Sequence, residues 1–297
     1  MSRFSLTHPS GSRTDLVVAN ALDLMRRMKA GSVGCLVTSP PYNLGVKYEA
    51  YDDAISRADY LAWSAEWLAL AYRVLADDGS FFLNIAGKPT DPLVPFQVLD
   101  LAIKAGFHLQ NNIVWIKSVS VEIDGKTRSV GHFKPLNTER FVNDCHEPIF
   151  HLIKGEDRDP NPESILHLTK TGDVKLSRLE VGVPLEDKSN IKRFGGEARK
   201  DIRCAGNVWW MAYDTIQAYS DRPHPASFPV ELPTRCLKLH GVHKKPLVLD
   251  PFAGIGTTAL ACAQLGLPNI GVDLGPLSID WAVKRLQKEV PGTKVAT

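Results

Sequence analysis

Thr38-Ser39-Pro40-Pro41-Tyr42-Asn43 brings a hydroxyl, two prolines and a phenol together directly after the apolar run 35–38. Consecutive prolines fix φ and remove two backbone donors, while their carbonyls remain as acceptors. A rigid turn then presents the Ser39 hydroxyl, the Pro40 carbonyl and the Tyr42 ring at a strand end. Two acceptors beside an aromatic face suit a planar group bearing an NH2, with the ring stacked on it and the acceptors holding the amine hydrogens. An ordinary proline turn closing a strand would carry the same residues. A second stretch, Val248-Leu249-Asp250-Pro251-Phe252-Ala253-Gly254-Ile255-Gly256-Thr257-Thr258-Ala259, reads as strand, tight glycine turn and helix start. Glycines let backbone approach a ligand closely, and the helix behind them offers unpaired N–H groups. Asp273 closes the next apolar run, 19 residues after Gly254, where an acid can accept from ribose hydroxyls. The Gly254-x-Gly256-x-x-Ala259 spacing fits a dinucleotide fingerprint, and with the acid it points to an adenosine-containing cofactor. A tight turn in any α/β protein is the plainer alternative. No GxxxxGK[ST] pattern occurs, which argues against a triphosphate loop.

Strands and helices must alternate to hold these turns. Apolar runs predict strands at 15–19, 35–38, 80–86, over Asn111-Asn112-Ile113-Val114-Trp115-Ile116-Lys117-Ser118, at 147–154, 246–250 and 269–273. Helical spacing predicts helices at 21–30, 57–76, 93–105, 257–266 and 277–289. Asp78-Gly79 is the expected stop of the second helix and Gly106 that of the third. The alternation argues for a largely parallel sheet. Residues 155–206 break the pattern. They open on a charged, proline-containing boundary, and six basic residues (Lys188, Lys192, Arg193, Arg199, Lys200, Arg203) face two acidic ones, Glu197 and Asp201. An α/β domain is therefore expected to be split around an insertion: 1–154, then 155–206, then 207–297.

Composition limits the classes. The chain has 297 residues, about two domains or one with an insertion. Lys plus Arg is 35 against 33 for Asp plus Glu, so a basic tail protein and an acidic disordered chain are both excluded. The five cysteines are scattered, with no CxxC pair, so neither a disulfide framework nor a zinc knuckle is expected, and no metal set is seen. The first fifteen residues lack the apolar core of a signal peptide. The longest mainly apolar stretch, 248–267, contains Asp250 and three glycines and is no membrane span. A cytoplasmic protein is the resulting expectation.

Together the two turns resemble the amino-methyltransferases of DNA, which make N4-methylcytosine or N6-methyladenine. Their catalytic motif (D/N/S)PPY is matched by Ser39-Pro40-Pro41-Tyr42, and their cofactor motif DPFxGxGT by residues 250–257. The motif order resembles the β subgroup: catalytic half, target-recognition region, cofactor loop. Arg222-Pro223-His224-Pro225-Ala226 with Ser227-Phe228-Pro229, residues 75–80, Ile113-Val114-Trp115 and His146-Glu147-Pro148-Ile149 match further family positions. The likeness covers about 15–153 and 207–290, while 155–206 matches nothing nameable.

The resemblance implies a Rossmann-like S-adenosylmethionine-dependent methyltransferase fold with permuted motif order and an inserted target-recognition region. It implies a prokaryotic or phage-type host, double-stranded DNA as partner, and it allows a cognate restriction endonuclease acting separately and a homodimer. Ser39, Pro40 and Tyr42 would be catalytic. Asn20, Asp250, Pro251, Phe252, Ala253, Gly254, Gly256, Thr257 and Asp273 would bind the cofactor. Asn20 stands where the family often has Asp, and Asn84 ends a strand where it can add a polar contact. Phe252 packs on the cofactor or in the core, His224 and Phe228 shape the pocket, and His146 is structural. The basic cluster 188–203 either binds phosphates or is a solvated face; Lys117, Lys126, Arg128 and Lys134 form a second candidate strip. Ser in the first motif position leans to cytosine over adenine. A nicotinamide-dependent oxidoreductase, a methyltransferase of RNA or protein glutamine, and a silent DNA-binding relative are the competing classes. The first of these leaves the proline turn unexplained.

Overall fold

The structure, a computed structural model, describes residues 2–46, 48–131, 140–154, 206–211 and 227–296. Lys134, Lys188, Lys192, Arg193, Arg199, Lys200, Arg203 and His224 lie outside these residues. In chain order the described elements are β1 (Ser2–Thr7), β2 (Arg13–Val18), α1 (Ala21–Arg27), β3 (Val33–Thr38), α2 (Arg57–Val74), β4 (Leu75–Asn84), α3 (Val94–Lys104) and β5 (His108–Ile116). A hairpin of β6 (Ser118–Ile123) and β7 (Lys126–Gly131) follows, then β8 (His146–Ile153) and β9 (Val208–Trp210). The last are α4 (Glu231–His240), β10 (Val248–Asp250), α5 (Thr257–Leu265), β11 (Asn269–Asp273), α6 (Pro276–Glu289) and β12 (Lys294–Val295).

Among the described residues, ten strands form one sheet in the order β12-β1-β2-β11-β10-β3-β4-β8-β5-β9. Its centre, β2 through β4, is parallel. β8 is antiparallel to both β4 and β5, and β1 to β2. The expected parallel sheet is therefore present with antiparallel flanks. Side chains alternate across it. Leu36, Phe81, Leu83 and Leu249 pack in one cluster with α1, α2 and α3, whose Met25, Trp67 and Val98 are buried there. Cys35, Val37, Phe82 and Val248 face the opposite side with α4 and α5. A sheet buried on both faces explains the nearly unbroken apolar runs of its strands.

The chain runs from β2 across to β3, leaving a gap that β11 and β10 fill from more than 200 residues downstream. After β10 the chain turns one way, through α5 to β11; after β3 it turns the other way, through α2 to β4. The crevice between the carboxyl ends of β10 and β3 is the switch point at which open α/β sheets bind ligands.

One expected boundary moves. Asp78-Gly79 does not end α2. The helix stops at Val74, and Leu75 pairs at once with Val33. The register then jumps, Cys35 pairing with Ser80, so Asp78-Gly79 lies in an irregular part of β4. The apolar periodicity predicts none of β1, the β6–β7 hairpin, β9, α4 and β12; most are short or lie at the margins of the sheet.

Two buried histidines oppose acidification of the fold. Burial lowers the pKa of His151 to about 3, helped by His240, and that of His240 to about 4, helped by Lys244. The unfolded chain takes up these protons near pH 6.5, while the folded chain refuses them until far lower. Their stabilisation is present above 6.5 and is lost as pH falls toward 4 and 3. Asp250 acts oppositely: burial raises it to about 6, so its contribution is fullest at low pH and declines as pH rises through 6. Two histidines outweigh one carboxyl. The urea midpoint should therefore be highest above about pH 6.5 and fall steadily toward pH 4. A midpoint that is flat or rises on acidification would contradict these burial effects.

Candidate active site

A cavity of about 740 Å³ opens at the carboxyl ends of β2, β11, β10, β3 and β4. Ser39, Pro40 and Tyr42 line it beside Pro251, Phe252, Ala253, Gly254, Thr257 and Asp273. The two motifs, over 200 residues apart, thus share one chamber. The tie between them is buried. Thr38 Oγ1 donates to Asp250 Oδ1 at 2.6 Å, and the Phe252 amide donates to the same oxygen at 3.1 Å.

Asp250 is 2% exposed and stands outside the cavity lining, and it fastens β10 to β3 beneath the chamber. Gly256 also lies outside the lining. It has φ 73° and caps α5, and a Cβ there would come within 2.8 Å of Ala282 Cβ on α6. Its contribution is to the shape of the loop.

Helices α1, α5 and α6 all begin at the chamber. Asn20 lines it and caps α1, Oδ1 accepting from the Leu22 amide at 2.9 Å. Asp273 Oδ2 accepts from the Gly254 amide at 2.9 Å, and Oδ1 from the Gly275 amide at 2.8 Å. The carboxylate fixes both loops and still has a lone pair on each oxygen. Gly254, at φ 48°, carries the turn that brings its amide there. Phe252 lines the cavity and packs on Trp63 and Trp67, each with ring centroids 5.5 Å away. Among the described residues, five lining carboxylates (Glu49, Asp53, Asp144, Glu147, Asp273) stand against two lining ammonium groups (Lys88, Lys117), a balance that suits a positively charged guest.

The proline turn is held from behind. Tyr60 on α2 donates to the Pro41 carbonyl at 3.0 Å. Asn43 follows at φ 58°, a conformation Asn tolerates. Buried Asp53 then accepts from the amides of Asn43, Leu44 and Val46 at 2.8–3.1 Å, which fixes the loop beyond the turn.

Beside the turn lies a polar cluster. Ser39 Oγ and the Tyr42 hydroxyl are 2.6 Å apart. That hydroxyl is within 3.3–3.4 Å of the Asn84 carbonyl, Asn84 Oδ1 and Glu147 Oε2. Asn84 Nδ2 donates to Glu147 Oε2 at 3.0 Å, and Lys117 Nζ pairs with Glu147 Oε1 at 2.9 Å. Desolvation, then the Glu147 charge, push the Tyr42 phenol well above its usual range, so it stays protonated. Asn84, which ends β4, is thus a member of this cluster. Lys117 faces this pair rather than joining a basic strip; Lys126 and Arg128 are exposed on the separate hairpin.

Asp53 and Tyr60 carry no motif that singles them out. Glu147 lies in the matched segment His146-Glu147-Pro148-Ile149, and alternation along β8 adds the side it faces. His146 is exposed at its start, so the next side chain turns toward the chamber. Among the described residues no group of three or more metal-ligating side chains occurs, and no helix is long and apolar enough to cross a membrane.

The family model for N6/N4 methyltransferases, described as DNA methylase, matches residues 33–284. The type II methyltransferase M.HpaI of Haemophilus parainfluenzae is 26% identical over 93% of this chain and 75% of its own length. The DNA adenine methyltransferase YhdJ of Escherichia coli K12 is 24% identical over 91% and 82%. Among solved structures, PvuII DNA methyltransferase (cytosine-N4-specific) superposes with a TM-score of 0.62 at 19% identity, covering 94% of this chain and 89% of that one. TTHA0409 of Thermus thermophilus, complexed with S-adenosyl-L-methionine, gives 0.59 at 23% identity, over 93% and 94%.

Proposed function

The chain belongs to the N6/N4 DNA methylase family, and from that premise we propose that it methylates the exocyclic N4 of a flipped cytosine in double-stranded DNA. The observation that carries this reading is the shared chamber, with Ser39 and Pro40 on one wall and Gly254 and Asp273 on the other. The lining fits S-adenosylmethionine. Asp273 has lone pairs for a ribose, Phe252 and Trp63 offer an aromatic wall, and the excess of carboxylates suits a cation. When bound, S-adenosylmethionine supplies an electrophilic methyl group on a sulfonium.

The chain's own residues have three tasks. Gly254 and Asp273 hold the donor side. Tyr42 stacks on the base, worth about 1–3 kcal/mol. Ser39 Oγ and the Pro40 carbonyl accept from the two amine hydrogens, which favours a pyramidal nitrogen with its lone pair localised. Alignment then supplies much of the rate. Ser39 and the likeness to a cytosine-N4-specific fold support cytosine. The adenine-specific relative keeps N6-adenine as the second reading. The division 1–154, 155–206, 207–297 is part of the proposal, with 155–206 as target-recognition region. Lys188, Lys192, Arg193, Arg199, Lys200 and Arg203 are proposed to meet phosphates. A restriction endonuclease acting separately, a homodimer and a cytoplasmic site of action follow from the type II relatives by analogy.

The test uses methyl-labelled S-adenosylmethionine and unmethylated genomic DNA, digestion to nucleosides, and mass spectrometry of the labelled product. N4-methylcytosine is expected. N6-methyladenine would overturn the base assignment and keep the site. No label on DNA, with the cofactor bound, would move the acceptor to RNA or protein.

A further inference from the structure

Methylating a neutral amine leaves a proton to be disposed of, and the motif residues alone provide no base for it. The donor inventory of the polar cluster gives a direction. Besides Ser39, the Tyr42 hydroxyl has three neighbours, the Asn84 carbonyl, Asn84 Oδ1 and the Glu147 carboxylate, and all are acceptors. Tyr42 has one proton and it points that way. With that proton so placed, Ser39 can donate across the 2.6 Å contact and Tyr42 accept. The Ser39 hydrogen is turned from the chamber, and its lone pairs are left for the amine. A chain of contacts runs from Ser39 through Tyr42 to Glu147, with the Asn84 oxygens beside it.

Resting on the methyltransferase reading, we propose that Glu147 is the terminal acceptor of the proton that leaves the amine, delivered through the Ser39 and Tyr42 hydroxyls. As the N–CH3 bond forms, the S–CH3 bond breaks and its electron pair stays on sulfur. The nitrogen becomes positively charged. Its N–H proton passes to Ser39 Oγ, the Ser39 proton to the Tyr42 oxygen, and the Tyr42 proton to Glu147 Oε2. The products are a neutral methylamino group, two restored hydroxyls and a carboxylic acid that later loses its proton to solvent. Glu147 never touches the base. Lys117 holds Oε1 at 2.9 Å and Asn84 Nδ2 approaches Oε2 at 3.0 Å, so the carboxylate is oriented before the proton arrives. The 3.4 Å from Tyr42 to Glu147 is long for a resting hydrogen bond, and such contacts often tighten only in the reacting complex.

The experiment compares single-turnover rates of the parent, Glu147→Gln, Tyr42→Phe and the double variant, on whichever base the parent methylates. Cofactor affinity by calorimetry and DNA affinity by anisotropy are measured alongside. Glu147→Gln keeps the size and, through Oε1, the hydrogen bond that Lys117 donates, but accepts no proton. A loss of about 100-fold is expected, at the low end for general base catalysis, with both affinities within twofold of the parent. Tyr42→Phe should lose a similar factor, and the double variant should lose no more than either single one, because both break one chain. Glu147→Asp should recover part of the rate. A parental rate for Glu147→Gln overturns the relay. So do single effects that multiply in the double variant, or a loss traced wholly to weaker DNA or cofactor binding. Failure of the parent to methylate DNA bears on the function; the ratio between variants bears on the relay, whatever the acceptor.

Discussion

Ser39→Ala is expected to lower the rate of methyl transfer by about 10²–10³-fold, the scale seen when one preorganised polar partner of a reacting group is removed. Cofactor affinity should stay near that of the parent, because Ser39 stands on the acceptor wall of the chamber and the donor side rests on Gly254 and Asp273. The variant removes two functions at once. The amine loses an acceptor, and Tyr42 loses the donor 2.6 Å away, so the path toward Glu147 is cut at its first step. The fold should not suffer, since the turn is anchored from behind by Tyr60 on the Pro41 carbonyl and by Asp53 on the following loop. The measurement is a single-turnover rate with a cofactor titration on the same preparation. A rate within threefold of the parent would exclude Ser39 as an amine acceptor.

Gly256→Ala should act on the other wall, and through backbone. Gly256 adopts φ 73°, where an L side chain costs about 1–2 kcal/mol. A new Cβ would also meet Ala282 Cβ at 2.8 Å, so α5 and α6 must part, at about 1–3 kcal/mol more. Both strains fall on the loop that carries Gly254 to Asp273. Cofactor affinity should drop by at least about tenfold, equivalent to about 1.4 kcal/mol, together with a lower thermal midpoint. Gly266→Ala is the control. It has φ 69° at the other end of α5, yet its Cβ would meet Ser10 only at an ordinary 3.5 Å, and it is remote from the chamber. It should cost stability alone. Equal cofactor affinities for the two variants would show that strain, and not the shape of this loop, is what the site feels.

Much of the site is legible in local sequence. The two motifs, their strand-turn-helix setting and the alternating elements all lie there. Local signals are strong where backbone chemistry is special: two prolines remove donors, glycines admit positive φ, and an acid closes a strand. Individual roles are less legible. Asp250 belongs to the cofactor motif yet points beneath the chamber to Thr38, because strand alternation sends one member of a motif to the ligand and its neighbour to the interior. Lys117 reads as one cation in a run of basic residues until the β5–β8 pairing sets it beside Glu147.

The amino-acid sequence by itself determined the family, the central sheet-and-helix pattern and the two motifs proposed to handle an amine and an adenosine cofactor, since each is written in neighbouring positions of the chain. Only the tertiary structure decided that Ser39 and Gly254 face one cavity, that Thr38 and Asp250 bind its two halves together, and that the Tyr42 hydroxyl lies 3.4 Å from Glu147. Those contacts join residues 105 and 212 positions apart, and no local pattern encodes them. They arise because β10 inserts between β11 and β3, and sheet register, not sequence distance, sets which side chains meet at the strand ends.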